Sequence, residues 1–167
     1  MNNEEKQKNY ALADELYSEQ NFVAAAVIGV IAAVIAAAAY GIIATKWSFS
    51  HGFAMASIGI VVGISMQFLG RGISAKFAAL AAVYTIAACL LGNIFTVALR
   101  PGFIAAGSLL DALQGISILE VLKQSTFDIH LGDLIYFFIA IVAAVFLVKR
   151  PLSRAERLAI GMSNLRD

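Results

Sequence analysis

The sequence predicts an all-α, polytopic membrane protein in which residues 21–148 form a four-helix transmembrane bundle. Four long segments contain no Asp, Glu, Lys, Arg or His: residues 21–45, 52–70, 77–99 and 134–148. An α-helix needs about 20 apolar residues to cross the ~30 Å hydrocarbon core of a bilayer. The composition agrees, because 60% of the residues are hydrophobic and the mean hydropathy is +0.83. We therefore expect most of the fold to lie in lipid.

Short tails and one longer connection complete the predicted organisation. Residues 1–20 are expected to form an amphipathic helix on the cytoplasmic membrane surface, with Leu12 and Leu16 one turn apart. The middle of the connection 100–133, residues 108–124, is too short and too charged to cross, so we expect it to form a helix in the outer interface. Residues 149–167 form a basic cytoplasmic tail, expected to be a weakly amphipathic helix along anionic headgroups.

Positive residues set the predicted orientation, since segments rich in Lys and Arg stay on the cytoplasmic side. Nine of them lie on one side of the predicted spans: Lys6, Lys8, Arg71, Lys76, Lys149, Arg150, Arg154, Arg157 and Arg166. Three lie on the other side: Lys46, Arg100 and Lys123. This distribution places both termini in the cytoplasm, with membrane lipid around the spans.

Small residues recur at helical spacing in the first two spans. The first span carries one every four residues, forming a continuous small-residue face: Ala25, Gly29, Ala33, Ala37 and Gly41. The second span contains the pair Gly59-x-x-x-Gly63. Small residues let helix backbones approach closely in lipid. Two interpretations stay open, namely packing within one protomer and contact with a second protomer or another membrane protein. Our candidates for the intermolecular contact are Gly29, Ala33, Ala37 and Gly41.

Polar residues within the spans are few, and three of them share one stripe of the third span: Thr85, Asn93 and Thr96. An amide in hydrocarbon needs a hydrogen-bonding partner, because leaving it unpaired costs several kcal/mol. The topology puts Asn93 in the outer half of the membrane and Gln67 in the inner half, so these two should not pair. We interpret the stripe as helix–helix hydrogen bonding, with a polar path for a transported species as the alternative.

Several small four-span families depend on groups that this sequence lacks. Proton-coupled multidrug exporters need a glutamate in the first span, and residues 21–45 contain none. Quinone-coupled reductases need paired cysteines, whereas Cys89 is the single cysteine. Haem-bridging bundles need several histidines within the spans, whereas His51 and His130 lie at span ends. These absences argue against a catalytic function.

Acidic and histidine residues cluster once, just before the fourth span. Asp128, His130 and Asp133 lie close together in sequence, but their spacing is not a recognised metal-ligand pattern. We expect no metal, no cofactor and no catalytic residue. Nucleic acid is not an expected partner either, because the sequence has no basic cluster with interleaved aromatic residues.

Six short motifs are distributed over most of the chain: Glu19-Gln20-Asn21-Phe22, Gly59-x-x-x-Gly63, Arg71-Gly72-Ile73, Cys89-Leu90-Leu91-Gly92-Asn93, Thr126-Phe127-Asp128 and Asp133-Leu134-Ile135-Tyr136. In these motifs the chain resembles a family of uncharacterised bacterial inner-membrane proteins with four spans. The resemblance implies a location in the bacterial inner membrane. It implies no activity.

The sequence therefore favours a non-enzymatic membrane subunit that forms a homo-oligomer or docks on a partner membrane protein through its small-residue helix faces. The alternative is a small oligomeric channel or transporter whose path is lined by Thr85, Asn93 and Thr96. A lipid-handling enzyme ranks below both, because no nucleophile or acid–base pair lies near either interface in a recognisable arrangement.

Overall fold

The computed structural model describes residues 3–46, 51–99 and 131–163, and these ranges are almost entirely helical. Six helices follow one another: α1 Asn3–Ser18, α2 Phe22–Lys46, α3 His51–Gly70, α4 Ala75–Ala98, α5 Leu131–Leu147 and α6 Arg154–Ser163. The described ranges contain no strand, which confirms the predicted all-α class. The outer interfacial helix predicted within residues 100–133 falls almost wholly outside the described residues.

Among the described residues, three helices are long and apolar enough to cross a membrane: Phe22–Lys46, Gly52–Gly70 and Ala75–Ala98. The chain thus carries the helices of a membrane protein, as predicted. α5 is equally apolar, but its 17 residues lie at the short end of the ~17–25 over which membrane spans range. The fourth span, predicted at residues 134–148, therefore stays a prediction.

The helices α2 to α5 pack together around one core. α3 and α4 are joined by residues 71–74, and α2 and α5 flank this pair, each packing against both of its helices. α1 and α6 pack against each other at the end where α2 begins and α5 ends. We call this the tail end of the bundle and the opposite end the loop end.

Local side-chain contacts fix where several helices begin. Asn21 caps α2, since its Oδ1 accepts a hydrogen bond from the Ala24 N–H at 2.9 Å. A reciprocal capping box opens α6. In it, the Ser153 N–H donates to Glu156 Oε2 at 2.6 Å and the Glu156 N–H donates to Ser153 Oγ at 3.3 Å.

The α3–α4 link begins with a left-handed residue. The Arg71 N–H donates to the Gln67 carbonyl at 3.1 Å and closes the last turn of α3. Arg71 has φ of 47°, a conformation that usually falls to glycine at a helix C-terminus and costs other residues about 1–2 kcal/mol. Arg71 therefore holds a conformation that is strained for a residue with a side chain.

Candidate functional sites at the two ends of the bundle

The small-residue face of α2 lies inside the bundle, and all five of its residues are buried. A Cβ added at Gly29 would come within 2.6 Å of the Tyr84 ring, and one at Gly41 within 2.6 Å of Phe95 Cβ. Both neighbours belong to α4 of the same chain. Of the two interpretations, the structure shows packing within one protomer. The intermolecular contact expected at Gly29, Ala33, Ala37 and Gly41 has no free surface there, because α3 and α4 cover this face.

The Gly-x-x-x-Gly pair of α3 packs directly against the backbone of α5. A Cβ at Gly59 would overlap the Ala140 carbonyl, and one at Gly63 would lie 3.0 Å from Ala144 Cα. Ala140 and Ala144 are fully buried and also four residues apart. Two small-residue pairs therefore meet along α3 and α5, and they leave no room for a larger side chain.

Asn93 has the hydrogen-bonding partner that an amide in an apolar bundle needs. The Tyr40 hydroxyl of α2 donates to Asn93 Oδ1 at 3.2 Å, and the Tyr40 ring rests on Gly92. Gln67 has a different partner, since its Nε2 donates to the Lys149 carbonyl at 3.0 Å. The two amides therefore pair separately, towards opposite ends of the bundle, as the predicted topology requires.

The three residues of the predicted polar path have different surroundings. Thr85 is fully buried, and its hydroxyl has no hydrogen-bonding partner in the described part of the chain. The Thr96 hydroxyl donates to the Gly92 carbonyl of its own helix at 2.9 Å. Ile58, Val62 and Met66 of α3 are also fully buried. Within one chain, the structure therefore does not join Thr85, Asn93 and Thr96 into an open path.

A cleft of about 120 Å³ opens at the loop end, between α3, α4 and α5. Its lining is mainly apolar, with one carboxamide and one carboxylate: Met55, Leu90, Asn93, Asp133, Leu134 and Phe137. In the sequence Asp133 belongs to the acidic and histidine cluster before the fourth span, whereas the structure places it in the wall of the cleft together with Asn93. The proximity of α4 and α5 is a long-range property that no local pattern shows. Asn93 and Asp133 together could hold a small polar or cationic group in the cleft.

Four charged residues form an ion-pair network at the tail end, which we call the tail clasp: Glu19, Arg71, Arg150 and Glu156. Glu19 Oε2 lies 2.6 Å from Arg150 Nη1 and 3.4 Å from Arg71 Nη1. Arg150 Nη2 lies 3.5 Å from Glu156 Oε1. The clasp thus joins the end of α1 to the α3–α4 link and to the start of α6. It also contacts Arg71, the residue with the left-handed backbone.

Hydrogen bonds from backbone N–H groups also stabilise the tail end. The Asn21 N–H donates to the Gly70 carbonyl at 3.0 Å, and the Arg150 N–H donates to the Gly72 carbonyl at 3.1 Å. Gln20 Oε1 accepts from the Ile73 N–H at 3.3 Å and from the Ser74 N–H at 3.4 Å. Both tails are therefore fixed to the α3–α4 link as well as to each other.

The tail helices also share a small apolar contact. Ala13 and Leu16 of α1 and Ala159 of α6 are buried, and the Asn9 amide donates to the Met162 sulfur at 3.5 Å. Sequence analysis predicted each helix separately, on the membrane surface. It missed their pairing, although the Ser153-x-x-Glu156 capping pattern was a usable signal for the start of α6.

Hydrogen bonding lowers the pKa of Glu156 in the clasp below its ordinary value of 4.5. The Ser153 backbone N–H makes the largest contribution, followed by the Ser153 side chain, and Arg150 adds a smaller one. Each of these groups stabilises the charged carboxylate. The Glu156 carboxylate therefore stays ionised to a lower pH than an ordinary glutamate does.

Metal-ligating residues do not gather in the part of the chain that the structure describes, where no group of three or more His, Cys, Asp or Glu side chains could hold a metal ion. Asp128 and His130, two members of the acidic and histidine cluster in the sequence, lie outside the described residues. A scan against protein-family models, a search of curated proteins and a search of solved structures each found no match.

Proposed function

We propose that this protein is a non-enzymatic integral membrane subunit that acts by assembly, either as a homo-oligomer or on a partner membrane protein. The tail clasp is the observation that carries this proposal. It fixes the first and last helices into one surface outside the apolar bundle, held by Glu19 between Arg71 and Arg150. Such an ordered polar surface, presented by a small apolar bundle, is suited to docking.

Four helices cross the membrane in this proposal, α5 being the fourth. Two observations support it. Both tails lie at one end of the bundle, which requires an even number of crossings. Nine of the twelve Lys and Arg residues fall on that side of the predicted spans, which the positive-inside rule assigns to the cytoplasm. The bacterial inner membrane as location depends on the sequence resemblance.

The assembly surface differs from the one that the sequence favoured. Because the small-residue face of α2 is covered, we place the contact on the outward side of the α1–α6 pair. Leu158 of α6 is 66% exposed there, one helical turn after the exposed Arg154 and next to the exposed Arg157. Protein contacts in water place apolar side chains at their centre and polar or charged ones at the rim, and we propose these two roles for Leu158 and its neighbouring arginines.

Native mass spectrometry of the protein released from detergent tests this proposal. We expect a single homo-oligomer or a complex with a second protein. Leu158→Glu should disperse this assembly, because it places a charge in the proposed contact. Lys149→Gln is the matched control, because it changes the charge by the same amount at an exposed position of the same end but outside α1 and α6, and it should leave the assembly intact. A wild-type protein that is monomeric and carries no second protein would contradict the proposal.

A channel or transporter is the second candidate, and the loop-end cleft with Asn93 and Asp133 favours it. The filled interior around Ile58, Val62 and Met66 means that any path would have to run between copies or open by a rearrangement. Asn93→Leu should then abolish an ion or solute flux into liposomes. Absence of flux with the wild-type protein would remove this candidate.

A further inference from the structure

A second cavity, of about 540 Å³, lies at the tail end beside the starts of α2 and α4. Six residues line it: Tyr17, Gln20, Phe22, Ser74, Lys76 and Phe77. The Phe22 and Phe77 rings meet edge to face with their centroids 5.5 Å apart and form an apolar floor. The remaining side chains supply hydroxyl, amide and ammonium groups, so the cavity is amphipathic.

The start of α4 carries an uncompensated positive charge. A helix N-terminus is electropositive, and an acidic residue or a side-chain cap usually offsets this. α4 has no acidic residue in its first turn, and Ser74 makes no side-chain capping hydrogen bond. The second residue of the helix is instead Lys76, whose charge adds to that of the helix dipole. An anion bound here would offset both.

The nearby acidic group is already engaged. Glu19 is the neighbour of Gln20 in sequence, but its carboxylate is bound by Arg71 and Arg150. Within the described ranges Lys76 forms no ion pair. Because Gln20 Oε1 accepts two backbone hydrogen bonds, the NH₂ group is the part of this amide left to donate. Ammonium, amide and hydroxyl donors therefore surround one cavity.

The position of the cavity indicates the source of the anion. α2 and α4 are both long and apolar enough to cross a membrane, and both begin here, so the cavity lies at the level of lipid headgroups. This step depends on the membrane placement in the proposed function. The Phe22–Phe77 floor offers an apolar surface that a free phosphate ion would not use but a lipid glycerol and upper acyl chain would.

We propose that this cavity binds the phosphate of an anionic phospholipid. Lys76 and the first turn of α4 contact the phosphate, Ser74 and Gln20 donate hydrogen bonds to it, and the two phenylalanine rings support the apolar part of the lipid. The site would hold one lipid between α1 and the bundle.

Native mass spectrometry in nanodiscs of a 1:1 mixture of phosphatidylglycerol and phosphatidylcholine tests the proposal. The wild-type protein should retain phosphatidylglycerol preferentially. Lys76→Gln should weaken this retention about fivefold, the equivalent of ~1 kcal/mol for one cation near a lipid phosphate. Lys149→Gln is the matched control, since Lys149 is exposed at the same end and lies outside the cavity lining. The Lys149→Gln variant should retain phosphatidylglycerol as well as the wild-type protein does.

Three results would overturn the lipid site. The first is that the Lys76→Gln and Lys149→Gln variants retain phosphatidylglycerol equally. The second is that the wild-type protein shows no preference for phosphatidylglycerol over phosphatidylcholine. The third is displacement of the lipid by millimolar inorganic phosphate, which would assign the cavity to a free anion. The same spectra report the number of protein copies, so a failure of the assembly proposal would be seen separately.

Discussion

The bundle and the tail end expose opposite kinds of residue. In the bundle, α2 buries both of its glycines and most of its alanines and exposes Val27, at 57%, and Ile35, at 62%. At the tail end, α1 buries Leu16 and exposes most of its charged residues. The two regions are continuous in sequence, and only residues 19–21 separate their helices.

The difference follows from the medium around each region, which is lipid for the bundle and water for the tail end. In water, burying a leucine is favourable because it removes apolar surface from water. In lipid this driving force is absent, so helices gain stability from close backbone packing at small residues and leave branched side chains to the lipid. The same comparison explains the charges, because ion pairs occur at the tail end and the bundle uses single hydrogen bonds such as Tyr40 to Asn93.

The largest expected effect is on close packing in the bundle. Gly59→Leu should destabilise the protein by about 3 kcal/mol, because the new side chain would overpack the α3–α5 contact at the Ala140 carbonyl. Thermal unfolding in detergent, followed by circular dichroism, measures this. Val61→Leu, at a neighbouring position that is 42% exposed, should leave the midpoint nearly unchanged. Equal midpoints for the two variants would contradict the packing.

The next effect concerns the clasp. Glu19→Gln removes the charge that both Arg71 and Arg150 contact, and we expect a loss of about 1 kcal/mol in the docking of α6, as for partly exposed ion pairs. Hydrogen exchange of the α6 amides should then be about fivefold faster, with the bundle unaffected. Glu15→Gln, an exposed acid on α1, should not change the exchange.

The pH dependence of the clasp is smaller and has a definite sign. Because hydrogen bonds lower the pKa of folded Glu156 below 4.5, its contribution to stability is complete above that pH and is lost as the pH falls through the lowered pKa. Protection of the α6 amides should therefore decrease below pH 4.5. Glu156→Gln should remove this contribution, and an unchanged pH profile in that variant would contradict it.

The smallest expected effect is a gain. A Cβ at Gly161 would meet no atom within 4 Å, so Gly161→Ala should only increase the helix propensity of α6. The expected gain is about 0.5–1 kcal/mol in local stability. Slower exchange of the α6 amides measures it. Faster exchange would mean that Gly161 contacts something that the isolated chain does not contain, such as a partner.

The bounds of the apolar helices were predictable because absence of charge is a local property. The segment 21–45 became α2 at Phe22–Lys46, and 52–70 became α3 at His51–Gly70. The neighbour of the α2 small-residue face was not predictable, because the same spacing serves contacts within and between chains. The tail clasp was also missed, because Glu19 and Arg150 are 131 positions apart. No local sequence pattern indicates that these two residues form an ion pair.

The pairing of the two tails on one side of the membrane is tested most directly by cross-linking Asn9 and Met162, whose side chains are 3.5 Å apart. The variant carries Asn9→Cys and Met162→Cys, with Cys89 replaced by alanine, in inside-out membrane vesicles. A short bismaleimide should join the tails, so that protease cleavage between them leaves one band on a denaturing gel. Two separate fragments, with both cysteines shown to be accessible, would contradict the clasped arrangement.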